Sequence, residues 1–338
     1  MSIGNLKKKN SFDGNLIFGV KKFNKKTKRD VHLRKAKKDK LNLFYLNKDN
    51  IILNKFSKKR NCPLCNENFS NSKIIFVKDG FVHRTCKKCD MFYVSPNLND
   101  AASYRIHRNQ KSFNKVYKNN IQKKMDNSKF LYGLNIIEKN LKKSNKKTLL
   151  DIGCGMGGFI QAAKRKKWEA EGVEFNKQAV ANLKKKGFKI YQDYLENLKF
   201  DKKFSCVSMW NLFEHLDNPK SMLKNIKKIL KPNGLVFVLV PNINGLVNTI
   251  LRKDAVAFAG NTHLNFFSVQ TLNKFFSLNG FKPVYYETLF TELETIKNYL
   301  DFKEPYSDQT NKKINYFTPS YIHKNYLGSK LIMVAKKK

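Results

Sequence analysis

Two sets of residues carry chemistry-bearing spacing in this sequence: four cysteines and a run of glycines beside acids. Cys62-Pro63-Leu64-Cys65 and Cys86-Lys87-Lys88-Cys89 are C-x2-C pairs separated by 20 residues. Four thiolates so spaced can stand at the corners of a tetrahedron around Zn²⁺. A set of four sulfur ligands leaves no position for water, so the expected metal is structural rather than catalytic. Between the pairs, apolar runs flank Asp79-Gly80, a two-residue hairpin signal. Two knuckles joined by a hairpin make a zinc ribbon over residues 61–97. The competing reading, two disulfides, needs an oxidising compartment. The first residues lack the apolar stretch of a secretion leader, and a cytoplasmic chain with reduced thiols is the expectation. His83 reads as an ordinary strand residue, and Cys154 and Cys206 read as small buried apolar residues.

The second set is "TLLDIGCGMGGF", residues 148–159. Gly153, Gly155 and Gly158 fit G-x-G-x-x-G, and with Gly157 the run becomes D-x-G-x-G-x-G from Asp151. A dinucleotide would bring two phosphates to bare backbone N–H groups at a helix N-terminus. Asp151, two residues before the first glycine, suits a ligand with a cationic part instead. S-adenosylmethionine offers an ammonium, a carboxylate, a sulfonium and an adenosine. The glycines admit close backbone approach, and the next helix can receive the carboxylate. Glu174 ends the next strand, where either ligand would want an acid for ribose hydroxyls.

These residues must be positioned by alternating elements. "KTLLDI", "AEGVEF", "FKIYQD", "FSCVSMW" and "LVFVLVPN" read as strands. "GGFIQAAKRKKW", "NKQAVANLKKKG" (stopped by Gly187) and "NPKSMLKNIKKILKPNG" read as helices. The last is capped by Asn218, has Pro219 in its first position and is stopped by Gly234. The pattern predicts an α/β fold with a parallel sheet. The helix "SVQTLNKFFSLNG" and the strands "FKPVYYET" and "KLIMVA" complete it. Four segments result: a basic, unassigned 1–60, the ribbon at 61–97, a helical connector at 98–145, and the α/β domain at 146–338. In the connector, Phe130, Leu134, Ile137 and Leu141 recur on one helical face. Its aromatics Tyr104 and Tyr117 could cover a ligand, but nothing singles them out.

The net charge is +41, from 67 basic residues against 26 acidic ones. Only eight of the 67 are Arg, the residue that reads phosphate and guanine in bidentate fashion, so a solvated Lys surface is favoured over a nucleic-acid site. No apolar run approaches the ~18 residues that a membrane span needs.

Taken together in order, "LLDIGCGMGGF", "GVEFN", "YQDYLENL", "WNLFEHLDNP" and "LKPNGLVFVLVPN" resemble the class I S-adenosylmethionine-dependent methyltransferases. The resemblance covers about residues 147–290 and the last strand near 331–336. It is nearest to the small-molecule branch of ubiquinone-pathway O-methyltransferases and sugar or polyketide methyltransferases. It implies a Rossmann-like seven-stranded sheet with helices on both faces, preceded by the ribbon. By position, it implies that Gly153, Gly155 and Gly157 line the methionine part and that Asp151 supports its amino end through the turn. Glu174, where that family usually has Asp, would take the ribose hydroxyls. Phe175 would lie on the adenine face, and Asp193 or Tyr194 near the adenine amino group. Asn211 would border the methyl-transfer zone. A hydroxyl acceptor must lose its proton, and a histidine suits that task. His215, past the fourth strand of the α/β sheet, and His263, after the fifth, are the candidates, while Glu214 and Asp217 read as helix-end and turn residues. The expected activity is methyl transfer to a small molecule, such as a sugar or other glycan or secondary-metabolite precursor, with oxygen the favoured atom. The alternatives are an RNA or DNA methyltransferase gripping phosphate through ribbon and lysines, and a non-catalytic cofactor-binding module.

Overall fold

β-branched and aromatic runs bounded by glycine, proline and asparagine become the strands of three sheets. The computed structural model describes residues 46–103, 120–141, 146–302 and 317–338; Tyr104, Tyr117 and most of segment 1–60 lie outside them. Five short strands come first: β1 (Ser57–Lys58), β2 (Ser72–Lys78), β3 (Phe81–Cys86), β4 (Phe92–Val94) and β5 (Asn97–Leu98). A long helix, α1 (Asn120–Asn140), follows. Then come β6 (Thr148–Ile152), α2 (Gly158–Arg165), β7 (Glu169–Val173), α3 (Lys177–Lys185), β8 (Ile190–Tyr191), β9 (Phe204–Trp210), α4 (Pro219–Ile229) and β10 (Leu230–Pro241). The rest comprises α5 (Leu246–Leu251), β11 (Asn265–Phe266), α6 (Val269–Leu278), β12 (Phe281–Leu289), α7 (Leu293–Phe302), α8 (Pro319–Lys324) and β13 (Lys330–Lys337). Among the described residues no helix is long and apolar enough to cross a membrane.

The largest sheet has seven strands in the order β12-β13-β10-β9-β6-β7-β8. β13 runs antiparallel to both neighbours, and the other pairings are parallel. Strand order reverses between β6 and β9, the switch point at whose carboxyl end α/β sheets bind ligands. Alternate residues of the sheet feed two cores. Leu149, Cys206, Phe237 and Val334 pack with α1, α2 and α3 on one face. Leu150, Val207, Val236 and Met333 pack with α4 and α6 on the other.

Local chemistry sets most element ends. As the sequence predicts, the Asn218 side chain accepts from Ser221 N and Pro219 opens α4; the Asn176 side chain likewise accepts from Ala179 N at the start of α3. Gly187 adopts a left-handed φ of +74° just past α3. One end differs. The helix expected to run to Gly234 stops at Ile229. Lys231 precedes Pro232, whose ring disfavours helical φ/ψ there. Leu230 instead pairs with Phe204, and the register resumes only at Leu235 opposite Cys206.

The connector and the ribbon are both bound into the α/β body. Leu134 and Ile137 of α1 are fully buried, and a Cβ on Gly133 would lie 2.6 Å from the Trp210 ring, so α1 lies flush on the sheet. The ribbon sheet has the order β11-β4-β3-β2, with β11 contributed from beyond β10. Cys62, Leu64, Met91 and Tyr93 share a core with Phe267, Phe275 and Phe276. The expected Asp79-Gly80 hairpin forms with φ of +51° and +85°, the pair of positive values that a type I′ turn requires.

Candidate active site

The glycine turn closes the switch point. Gly153, Gly155 and Gly157 have φ of +70°, +55° and +75°, a region where a side chain costs roughly 1–2 kcal/mol. A Cβ on Gly155 would meet no atom within 4 Å, so this turn presents bare backbone to open space. The other glycines answer to packing. A Cβ on Gly157 would come 2.5 Å from Leu183, and one on Gly158 2.7 Å from Phe130 of α1. Gly158, the last glycine of the G-x-G-x-x-G pattern, thus serves helix packing and not the open face.

Asp151 lies beneath the turn, fully buried, and its Oδ1 accepts from Ser208 Oγ at 2.7 Å. Burial pushes its pKa up to about 7 against the pull of that hydrogen bond, and nearby Glu174 pushes the same way. So buried, it lies behind the turn and not on its open face. Glu174 ties two turns together: Oε2 accepts from Gly155 N at 2.8 Å, and Oε1 accepts from Phe175 N and Asn176 N, both at 2.8 Å. Phe175 is 52% exposed and Tyr194 61%, with ring centroids 4.7 Å apart. Two large rings left in solvent beside a bare turn fit a flat heterocycle such as adenine. Asp193 is partly occupied with its own turn, since Oδ1 accepts from Tyr194 N at 2.6 Å and Asn197 Nδ2 at 2.8 Å. Open backbone, an acid within reach of it and an exposed aromatic pair together fit the parts of S-adenosylmethionine.

The turn after β9 adjoins this cradle. A Cβ on Gly153 would touch Leu212 at 3.2 Å, and His215 N donates to Leu212 O at 2.9 Å. Asn211 holds a left-handed φ of +48°, and its Oδ1 accepts from Lys330 Nζ at 2.9 Å. His215 and His263, 48 positions apart in the chain, have ring centroids 4.8 Å apart. Donor atoms of Glu214, His215 and His263 all lie within 4.8 Å of one another. His215 Nδ1 lies 2.7 Å from Thr262 O, and His263 Nδ1 lies 2.6 Å from Ala257 O. For His215, the carbonyl partner places the proton on Nδ1 and leaves the lone pair on Nε2.

Glu214 sits in a single helical turn, Phe213–His215, where it is fully buried and neither carboxyl oxygen accepts a hydrogen bond. Burial raises its pKa, while His215 and Lys330 pull it down. The His215 Nε2 lies 3.8 Å from its Oε1. Sequence reasoning missed Lys330 because it enters from β13, 119 positions after Asn211. No local pattern could have shown it.

The cysteines form the third site. Their four Sγ atoms lie within 4.8 Å of one another, with Cys62–Cys89 at 3.5 Å and Cys65–Cys86 at 3.6 Å. A tetrahedron with Zn–S bonds of about 2.3 Å has edges of about 3.8 Å, so the set fits zinc with little movement. His83 is outside the set. It is buried among Phe76, Phe92, Phe258 and Phe266, and burial lowers its pKa to about 4. Cys154 and Cys206 are buried, as expected of small apolar residues.

Comparison with known proteins bears on the domain that carries these residues. A family model described as a methyltransferase domain matches residues 122–286, a span that begins within α1. Over those residues the chain is similar to a methyltransferase domain, in line with the class I, S-adenosylmethionine-dependent resemblance of its motifs. Ubiquinone biosynthesis O-methyltransferase from Proteus mirabilis is 29% identical over 119 residues, covering 33% of this chain and 49% of that protein. The Pelagibacter ubique enzyme of the same description is 33% identical over 100 residues, covering 28% of this chain and 42% of that one. The chain thus spans about half or less of the length of these two relatives. An uncharacterized Methanocaldococcus jannaschii protein is 24% identical over 47% of this chain and 76% of its own length. Among solved structures, a Thermotoga maritima S-adenosylmethionine-dependent methyltransferase is similar over 70% of this chain and 99% of that chain, at 19% identity and a TM-score of 0.45.

Proposed function

We propose that this protein moves a methyl group from S-adenosylmethionine to a hydroxyl oxygen of a small acceptor held beside His215 and His263. One observation carries the reading: Leu212 joins the open glycine turn to a buried acid with two histidines beside it. The cofactor, when bound, supplies a methyl group on a sulfonium whose departure is already favourable. The task left to the protein is alignment and the removal of one proton. Gly153, Gly155 and Gly157 admit the methionine part, and Glu174 exchanges part of its backbone bonding for ribose hydroxyls. Phe175 and Tyr194 face the adenine. His215 Nε2 takes the acceptor's proton. A buried carboxylate without hydrogen bonds gains strongly from a neighbouring imidazolium, so Glu214 stabilises that proton where it lands. Lys330 holds Asn211 at the rim. The four cysteines hold a structural zinc. A sugar or another hydroxylated precursor of a glycan or secondary metabolite fits a site whose only demand is an acidic enough O–H.

S-adenosylhomocysteine is expected to raise the melting temperature of the protein, and NAD is not. Glu174→Ala should weaken S-adenosylhomocysteine binding at least about tenfold, the loss of roughly one charged hydrogen-bond set. His215→Ala should leave that affinity intact and abolish turnover in a screen of sugars and phenols with labelled cofactor. Methyl transfer to total RNA, with binding that weakens steeply in salt, would replace this reading by a nucleic-acid one. Stabilisation by NAD alone would end both.

A further inference from the structure

We propose that Arg60 is a positioning residue through which the four-cysteine ribbon sets the placement of His215 and His263. As a statement about catalysis this rests on the acceptor-side reading of that pair; as a statement about structure it does not.

Arg60 stands two residues ahead of Cys62, and its backbone is clamped from beyond the last cysteine. Its N–H donates to Ser95 Oγ at 3.1 Å, and that hydroxyl donates back to Arg60 O at 2.9 Å. Arg84 Nε, on the strand between the two cysteine pairs, donates to Ser95 O at 2.7 Å. The main chain at Arg60 therefore goes where the ribbon goes.

The side chain leaves the ribbon and enters the methyltransferase body, where it is 9% exposed. Nη1 donates to Leu264 O at 3.3 Å, and Nη2 donates to Asn265 Oδ1 at 3.0 Å and to Asp217 O at 3.1 Å. Nε lies 3.8 Å from the Asp217 carboxylate. These acceptors belong to two chain segments, one carrying Glu214 and His215 and the other carrying His263. The same segments are joined by Leu264 N to Glu214 O at 2.9 Å and by Asn265 Nδ2 to Leu216 O at 2.7 Å. His215 is itself held by Thr262 O. Two more ribbon bonds reach the same place: Val94 N to Leu264 O at 3.0 Å and Asn97 Nδ2 to Asp217 Oδ1 at 3.0 Å.

A planar fork of five donors can hold two separate segments at fixed relative positions; an ammonium on a flexible stem cannot. Burying a guanidinium is costly unless its donors are satisfied, so the segments cannot drift from Arg60 without leaving it unpaired. A metal that fixes the four cysteines would thereby fix the register of the two histidines, although the nearest link is a side chain and not the metal site itself.

The test uses the full chain labelled with ¹⁵N-histidine, its ring signals assigned through His215→Gln and His263→Gln. Arg60→Ala should displace the His215 and His263 ring signals by more than a linewidth, and Arg60→Lys less so. Affinity for S-adenosylhomocysteine should stay within about twofold of wild type, because none of these Arg60 bonds reaches the glycine turn. Stripping metal from the wild type with a chelator should displace the same signals in the same direction, and stripping it from Arg60→Ala should add little. If Arg60→Ala does not fold, Asp217→Asn removes the ion pair and should give the smaller displacement. Ring signals unmoved in these variants would overturn the proposal. So would an equal loss of cofactor affinity, which marks general loosening. Displaced rings together with full turnover in His215→Gln would support the strut while overturning the catalytic role of that histidine.

Discussion

Asp151 is a carboxylic acid sealed beneath the glycine turn with one hydroxyl for company. Its pKa is raised to about 7 by burial, whereas the unfolded chain releases the proton near 4. Between those values the folded state binds more protons than the unfolded one, so this group's contribution to stability is complete below pH 4 and lost as pH rises toward 7. The full swing is about 4 kcal/mol. Asp151→Asn keeps an acceptor for Ser208 Oγ and removes the titration. Denaturant titrations at several pH values should show wild-type stability falling across that window more steeply than that of the Asn variant. The glycines separate in the same way. Gly155→Ala meets no atom, so it should cost roughly the 1–2 kcal/mol of a left-handed alanine while obstructing the open face. Gly158→Ala drives a methyl against Phe130 and should destabilise the fold more than it alters the cradle. Calorimetry with S-adenosylhomocysteine beside thermal melts distinguishes the two.

The ribbon sheet joins a hairpin of ordinary strands, β2 and β3, to two very short ones. β4 has three residues and β11 two, and Cys62, Cys86 and Cys89 sit inside the core that Tyr93 of β4 shares with α6. Elements of that size need a staple. Elemental analysis after gentle purification should find one zinc per chain. Cys62→Ser or prolonged chelation should lower the melting temperature by roughly 5–10 °C, as a loss of a few kcal/mol would in a chain of this size. Equal melting with and without metal would remove the structural role. The end of α4 belongs to this scale too: its stop is fixed by Pro232 rather than by Gly234, because the ring acts on the residue before it, whereas glycine only permits a turn.

At the scale of the molecule, the ribbon and the methyltransferase sheet are one folding problem. Among the described residues β11 pairs with β4 alone, and Arg60 and Asn97 supply donors to the turn after β9. A protein starting at residue 120 keeps all seven strands of the large sheet but leaves β11 and the buried Asn265 without those partners. Such a truncation should express as aggregated material, or as a soluble protein that binds S-adenosylhomocysteine and fails in turnover. Soluble yield and full activity would contradict this dependence.

Much of this was already set by local sequence. Strand and helix alternation, the caps at Asn176 and Asn218, the hairpin at Asp79-Gly80, the glycine turn with its two acids, and the four cysteines are each defined within a few residues, where backbone sterics and ligand spacing act. Other features were invisible at that range. That Gly158 serves Phe130, that Glu214 is buried beside two histidines, that Lys330 reaches Asn211, and that Arg60 spans two segments are contacts made across dozens to hundreds of positions. No periodicity encodes them, because the energy of a buried charge or a shared hydrogen bond depends on which distant groups the packed sheet brings to it. Sequence determined which chemistry the chain carries; only tertiary structure decided which of those groups meet, because desolvation and hydrogen-bond geometry exist only once the layers have closed.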